Sequence, residues 1–60
     1  MNERLIAQRK KKELTQKQAA KGAGVSERMY QRYEAGTAVP SVPVAIKLAA
    51  TLECRIEDIF

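Results

Sequence analysis

The sequence predicts an all-α protein, folded as a compact bundle of five short helices around one core. Three observations support this prediction. No stretch alternates apolar and polar residues as a β-strand would. Capping residues and glycines divide the chain into short segments, and apolar residues late in the chain recur at helical spacing. Sixty residues suffice for one domain, and no linker or repeat divides them, so we expect a single domain over residues 1–60.

Start and stop signals place the first two helices. The first runs from Asn2, a favourable N-cap residue, to about Lys12, and its basic residues stand at the C-terminal end, where the helix dipole favours them. The second begins after Thr15, because Thr15 and Gln18 are spaced as a capping box. Gly24 is expected to end it in the left-handed conformation that glycine adopts without strain.

The second helix is built from small residues. Gly22 lies in its interior, where glycine costs roughly 1 kcal/mol relative to alanine. We therefore expect this helix to be frayed. Its inner face lets a neighbouring helix approach closely, since it consists of Ala19, Ala20 and Ala23.

The third helix has a clear beginning and a clear end. Ser26 is a good N-cap residue, Gly36 is a stop signal, and residues 27–35 lie between them. At about 100° per residue, one side of this helix collects two aromatic residues and an acid, namely Tyr30, Tyr33 and Glu34.

The last two helices follow a loop at residues 37–40. Ser41 is placed to cap the fourth helix, and Pro43 is tolerated in its first turn. A short last turn is expected at about residues 56–59, with Phe60 closing the core. The strongest amphipathic pattern of the chain lies in the fourth helix, at Val44, Ala45, Leu48, Ala49 and Leu52.

The composition argues against several classes of function. The chain has no histidine and one cysteine, Cys54, so neither an internal disulfide nor a Cys/His metal site is expected. No nucleophile–base pair and no glycine-rich phosphate loop is visible, so we expect neither an enzyme nor a cofactor. No apolar run could span a bilayer and no secretory signal is present, which predicts a cytoplasmic protein. The net charge of +4 favours a polyanionic partner.

The second and third helices, joined by a tight glycine turn, have the arrangement of a helix-turn-helix. The outer side of the third helix carries Arg28 and Arg32, one turn apart, with Gln31 beside them. The major groove of DNA admits one α-helix, in which arginine pairs with guanine and glutamine with adenine through two hydrogen bonds. Thr15 and Gln16 open the second helix, whose N-terminus attracts phosphate oxygens.

The residues around this motif resemble a known family. The run LTQKQAAKGAGVSERMYQRYEAG, followed by a loop and Pro40-Ser41, is similar to the Cro/C1-type helix-turn-helix family of phage repressors and bacterial regulators. The ending LAATLECRIEDIF is similar to the family's last two helices. The resemblance covers essentially the whole chain. It implies a lambda-repressor-like DNA-binding domain that acts as a sequence-specific transcriptional regulator of bacterial or phage origin, most simply a repressor.

The resemblance also implies roles for individual residues. Arg9 and Glu34 match a pair that links the first and third helices by a salt bridge, which explains an acid on the inner side. Glu27 either accepts a hydrogen bond from cytosine or interacts with the helix dipole. The implied base contacts are Gln16, Glu27, Arg28 and Arg32. The expected backbone contacts are Thr15, Gln16, Lys17, Ser26, Met29 and Gln31.

The sequence departs from the family's pattern in several places, among them Gly22, which lies where a helix former is usual. Ala19 and Ala23 stand where larger aliphatic residues are usual, and Tyr30 replaces a typical isoleucine. The loop at residues 37–39 lacks the basic residues that often meet phosphate there. The small residues and the uncharged loop leave open an alternative function, a protein-interaction module such as an antitoxin-like partner.

The expected DNA partner also implies a second copy of the chain. We expect a homodimer on a two-fold operator, with half-sites about one helical turn, roughly 34 Å, apart. No separate dimerisation segment is visible, so the last two helices are expected to form the interface, through Leu52, Ile56, Ile59 and Phe60.

Overall fold

The computed structural model describes residues 1–60 as five α-helices with no β-strand. They are α1 (Glu3–Lys11), α2 (Gln16–Ala23), α3 (Glu27–Ala35), α4 (Val42–Thr51) and α5 (Ile56–Ile59). The predicted fold class is confirmed, and each predicted helical segment coincides with an observed helix. No helix has both the length and the apolar character needed to cross a membrane.

Side-chain caps begin three of the helices. Asn2 and Ser26 each accept the backbone N–H of the residue three positions later, at 3.1 Å, and so cap α1 and α3. Thr15 and Gln18 form the reciprocal capping box of α2, with hydrogen bonds of 3.1 and 2.9 Å. Ser41 precedes α4 as predicted, but its side chain makes no capping hydrogen bond.

Residues with positive φ follow four of the helices. Gly24 (φ 74°) follows α2 and Gly36 (φ 81°) follows α3, both in the left-handed conformation expected of a glycine at a helix end. Glu13 (φ 57°) and Glu53 (φ 54°) take up the same region after α1 and α4, although neither is a glycine. The Nζ of Lys12 lies 2.9 Å from Oε1 of Glu53, so an ion pair joins these two turns.

One apolar cluster fills the centre of the bundle, and Tyr30 is its largest fully buried side chain. The rings of Tyr30 and Tyr33 meet edge to face with centroids 6.4 Å apart, and Phe60 packs in the same way on Tyr33 at 6.5 Å. The side of α3 that was expected to face inward is therefore buried. The cluster consists of Leu5, Ala19, Ala20, Ala23, Tyr30, Tyr33, Leu48, Ala49, Leu52 and Ile59.

Thr51 of α4 packs directly against Gly22 of α2. A methyl group at Gly22 would lie 2.9 Å from Cβ of Thr51 and closer still to its Oγ1 and Cγ2. α2 nevertheless continues without interruption through Gly22 to Ala23. The expected fraying is thus not observed. Gly22 would weaken an isolated helix, but in the folded protein it lets α4 pack against α2, and this packing stabilises the helix.

The interface residues expected from the sequence are mostly core residues. Leu52 and Ile59 have no exposed surface, and Phe60 is partly buried against the central cluster. Only Ile56, with 38% of its surface exposed, is available to a second molecule. The prediction that Leu52 and Ile59 take part in a dimer interface is therefore wrong, since closing a core this small uses these side chains.

Gly22→Ala is expected to destabilise the fold, although alanine is the better helix former. The helix gains roughly 1 kcal/mol in propensity, but overpacking against Thr51 costs about 1–3 kcal/mol. We therefore expect a lower urea midpoint for the variant than for the parent. Thr51→Ala removes two of the three overlapping atoms, so the double variant should recover part of the loss. A Gly22→Ala protein as stable as the parent would contradict the proposed close contact.

Candidate nucleic-acid interface

α2, the turn after it and α3 form one continuous unit. α2 ends with hydrogen bonds from the N–H of Gly24 to the carbonyl of Lys21 (3.2 Å) and from the N–H of Val25 to the carbonyl of Ala20 (3.1 Å). These bonds satisfy carbonyls that a helix end otherwise leaves unpaired. Val25 is half-buried and packs against the core. Because α3 begins two residues later, the turn fixes its direction relative to α2.

α3 presents a polar side to solvent. Arg28 and Arg32 are exposed and stand one turn apart, and Gln31 is exposed beside them. The three ion pairs of the protein involve neither arginine. Both guanidinium groups are therefore free of carboxylate partners and available to an external acceptor.

The opposite side of α3 carries a buried carboxylate, that of Glu34, which is only 5% exposed. The structure brings it together with Arg9 of α1, whose Nε donates to Oε2 at 2.6 Å and whose Nη2 donates to Oε1 at 3.4 Å. The hydroxyl of Tyr30 donates to Oε2 at 2.6 Å, and Nε2 of Gln16 donates to Oε1 at 2.9 Å. One carboxylate thus receives donors from α1, α2 and α3.

These contacts change the proton affinities of the groups involved. Burial alone would raise the pKa of Glu34, but the hydrogen bonds from Arg9, Tyr30 and Gln16 outweigh it and lower that pKa. The hydrogen bond to Glu34 raises the pKa of Arg9. Burial, followed by the hydrogen bond to Glu34, raises the pKa of Tyr30. The site therefore holds a carboxylate, a guanidinium and a neutral phenol at neutral pH.

Gln16 connects the buried carboxylate to the surface of α3. Its Nε2 donates to Glu34, and its Oε1 accepts a hydrogen bond from Nε2 of Gln31 at 3.4 Å. The buried carboxylate requires a donor, so it fixes which end of the Gln16 amide faces inward. Each of the two amide groups keeps a second N–H for another acceptor.

The remaining residues expected to contact DNA lie at the starts of α2 and α3. Thr15 and Ser26 use their side-chain oxygens as caps, and their hydroxyl protons stay free to donate. Lys17 and Glu27 are exposed in the first turns of their helices. Met29 is 37% exposed on α3.

The contact between Gln16 and Gln31 was not anticipated from the sequence. Both residues were expected to face DNA, and nothing in their spacing indicates that they meet. The roles of Tyr30 and Gln16 as donors to Glu34 were also missed. The one available signal was an acid on an inward-facing side, since a buried carboxylate needs several donors.

An exposed helix with free arginines, joined to the preceding helix by a glycine turn and oriented by a buried ion pair, defines a helix-turn-helix domain. The chain belongs to the helix-turn-helix family, which it matches over residues 5–59. It is therefore a DNA-binding domain of the Cro/C1 type found in transcriptional regulators.

The chain is similar to the cryptic phage CTXphi transcriptional repressor RstR of Vibrio cholerae serotype O1. The two are 37% identical over 59 residues, which are 98% of this chain and 53% of the relative. The chain thus spans about half the length of that curated relative. No solved structure gives a significant match.

Glu34→Gln is expected to reduce stability at neutral pH and to flatten its dependence on acid. Removing one partner of a buried ion pair costs about 3–5 kcal/mol. The pKa of Glu34 is lower in the folded state than in the unfolded chain, so its contribution is present above about pH 4.3 and is lost as the pH falls further. Urea unfolding between pH 7 and pH 2 should show the parent and the variant converging in acid.

Tyr30→Phe tests the same carboxylate more gently, with the ring retained. It removes one hydrogen bond to a charged group, worth about 1.5–3 kcal/mol. The acid-induced loss of stability should be smaller in this variant and complete at a higher pH, because without the hydroxyl the folded-state pKa of Glu34 lies closer to that of the unfolded chain. Glu57→Gln is the matched control, because that carboxylate is exposed and its ion pair with Arg55 contributes about 0–1 kcal/mol. Parallel pH profiles for parent and Glu34→Gln would rule out this role of Glu34.

Proposed function

We propose that residues 1–60 act as one sequence-specific DNA-binding domain of a transcriptional repressor, which works by binding and not by catalysis. The observation that carries the proposal is the pair of exposed arginines, free of ion pairs, on a helix that a buried carboxylate orients. Such a helix suits the major groove, where arginine recognises guanine. The 37% identity to a phage transcriptional repressor favours repression.

Base readout is assigned to the outer side of α3 and the start of α2. Arg28 and Arg32 are four residues apart, about 6 Å along the helix, so they reach neighbouring base pairs. Glu27 precedes them and is proposed to accept a hydrogen bond from cytosine. Gln16 contributes the N–H that Glu34 does not use.

Contacts with the phosphate backbone are assigned around this surface. Gln31 is held by Gln16, so its second N–H is placed to donate outward to a phosphate oxygen. The N-terminus of α2 adds the partial positive charge of a helix dipole. The net charge of +4 supports attraction to the backbone over a longer range. The proposed backbone contacts are Thr15, Gln16, Lys17, Ser26, Met29 and Gln31.

We further propose that two copies of the domain bind a two-fold operator on a bacterial or phage genome. Half-sites would lie about one helical turn, roughly 34 Å, apart, because both recognition helices must enter the major groove on the same face of the duplex. The helical repeat of the duplex imposes this spacing, and the contact between the two copies has to match it.

Selection of bound sequences from a random duplex pool, followed by titration of the selected duplex, tests the proposal. An enriched palindrome is expected. The logarithm of the binding constant should fall linearly with the logarithm of the salt concentration, with a slope of about −0.9 for each phosphate contact. An affinity independent of salt, or no enrichment at all, would overturn the DNA-binding proposal and favour a protein-interaction module.

Arg28→Ala should weaken binding to the selected duplex and relax specificity. The loss of a bidentate contact with guanine costs about 1–3 kcal/mol, so the preference for one base pair should largely disappear. Titration of the selected duplex and of a duplex with that base pair exchanged measures both effects.

Lys11→Ala is the matched control for Arg28→Ala. It removes the same charge from an exposed position at the end of α1, outside the proposed reading surface. Both duplexes should be weakened to the same small extent by this variant. If Arg28→Ala also weakens both duplexes equally, Arg28 contacts phosphate and does not read a base.

A further inference from the structure

The chain contains a long uncharged stretch that begins where α3 ends. None of the twelve residues from 35 to 46 is charged, although 30% of the whole chain is. Three large aliphatic side chains of this stretch lie open to solvent. The exposed fraction is 80% for Val39, 70% for Val42 and 54% for Ile46.

Val42 and Ile46 belong to α4, a helix that is apolar on both sides, and Val39 lies in the loop before it. The inner side of α4 carries the buried Ala45, Leu48 and Ala49. Val42 and Ile46 stand one turn apart on its outer side, and the exposed Ala50 lies one turn further. A helix that is apolar all round is normally buried on all sides. We call the outer side, made of Val39, Val42, Ile46 and Ala50, the α4 outer face.

The other exposed large hydrophobic residues form no such group. Met1, Met29 and Ile56 lie in three different parts of the chain, at the N-terminus, on α3 and at the start of α5. Single exposed apolar side chains are ordinary on protein surfaces and need no partner. Met1, Met29 and Ile56 are thus isolated, whereas the aliphatic residues of the α4 outer face lie together on one side of α4 and in the loop before it.

The distribution of charge identifies an occupant for this face. A nucleic-acid backbone is a poor fit, since Lys47 is the only charged residue of α4. Two copies of a chain with a net charge of +4 repel each other on approach, and a facing pair of uncharged surfaces adds nothing to this repulsion. An uncharged aliphatic face is complementary to itself and lets two like-charged copies approach, as a two-fold contact requires. We infer that the α4 outer face is the contact surface between two copies of this chain.

This inference rests on the proposed function for its role and deepens it by placing the dimer contact. The uncharged stretch starts at the C-terminal end of the recognition helix, where Gly36 ends α3. A contact on the α4 outer face thus connects through one short loop to the reading surface in each copy. The spacing of the two recognition helices is then set by α4 and the loop, and the buried residues of α5 take no part.

Sedimentation velocity of the purified protein without DNA, from about 10 μM to 1 mM, tests the inference, because small interfaces are weak. The parent is expected to shift from monomer to dimer over this range. Ile46→Glu should raise the dimer dissociation constant about tenfold or more, since it places two charges in the contact. Val42→Glu is expected to act in the same way, and circular dichroism confirms that both variants are folded.

Ile56→Glu is the matched control, because it introduces the same charge at an exposed isoleucine outside the α4 outer face. Its dissociation constant should stay within about threefold of the parent's. A parent that remains monomeric throughout, or an Ile56→Glu variant that dissociates as readily as Ile46→Glu, overturns the inference. The first outcome means that another segment or another protein covers the face.

DNA titration separates this inference from the proposed function. Ile46→Glu should bind a duplex carrying one selected half-site as well as the parent does, and should lose the additional affinity for a duplex carrying two. Loss of binding to both duplexes would count against the dimer contact. Dimerisation in the absence of any DNA binding by the parent would leave the contact intact and remove the proposed function.

Discussion

The ionised carboxylate of Glu34 is the constraint on which the rest of the structure depends. A charge in the interior of so small a bundle is tolerated only with several good donors. Arg9 supplies them from α1 and Gln16 from α2, while Tyr30 adds one from within α3. Because all these donors must reach one group, three helices are fixed in orientation around it. Because Glu34 must face these donors, the opposite side of α3 faces solvent.

The packing of the bundle shows a second constraint, the distribution of volume. Ala19 and Ala23 are smaller than the aliphatic residues usual in the family, and Tyr30 is larger than the usual isoleucine. Tyr30 is also the largest fully buried side chain of the protein. All three residues belong to one apolar cluster, in which small residues on α2 are combined with a large one on α3. The tyrosine brings a hydroxyl into the core, and this hydroxyl donates a hydrogen bond to Oε2 of Glu34 at 2.6 Å.

Local chemistry made most of the helix positions predictable. Helix caps and glycine turns depend on interactions with residues close in sequence, so they can be predicted from the sequence alone. This applies to Thr15, Ser26, Gly24 and Gly36. The effect of Gly22 could not be predicted in this way, because it depends on a contact with Thr51 of another helix. The hydrogen bond between Gln31 and Gln16 and the burial of Leu52 and Ile59 are likewise tertiary facts. Local patterns identified α3 and its exposed arginines but not the residues that hold this helix in place.

The separation of charged and uncharged surfaces connects the two proposed contacts of the protein. A domain that attracts a polyanion must carry excess positive charge, and that same charge keeps two copies apart. A surface without charge avoids this conflict, and the stretch from 35 to 46 provides one directly beside α3. The buried carboxylate orients the reading surface within one copy, but it cannot determine where the second copy stands. The spacing of two copies therefore requires a contact of its own, and α4, apolar on both sides, has a face left to make it.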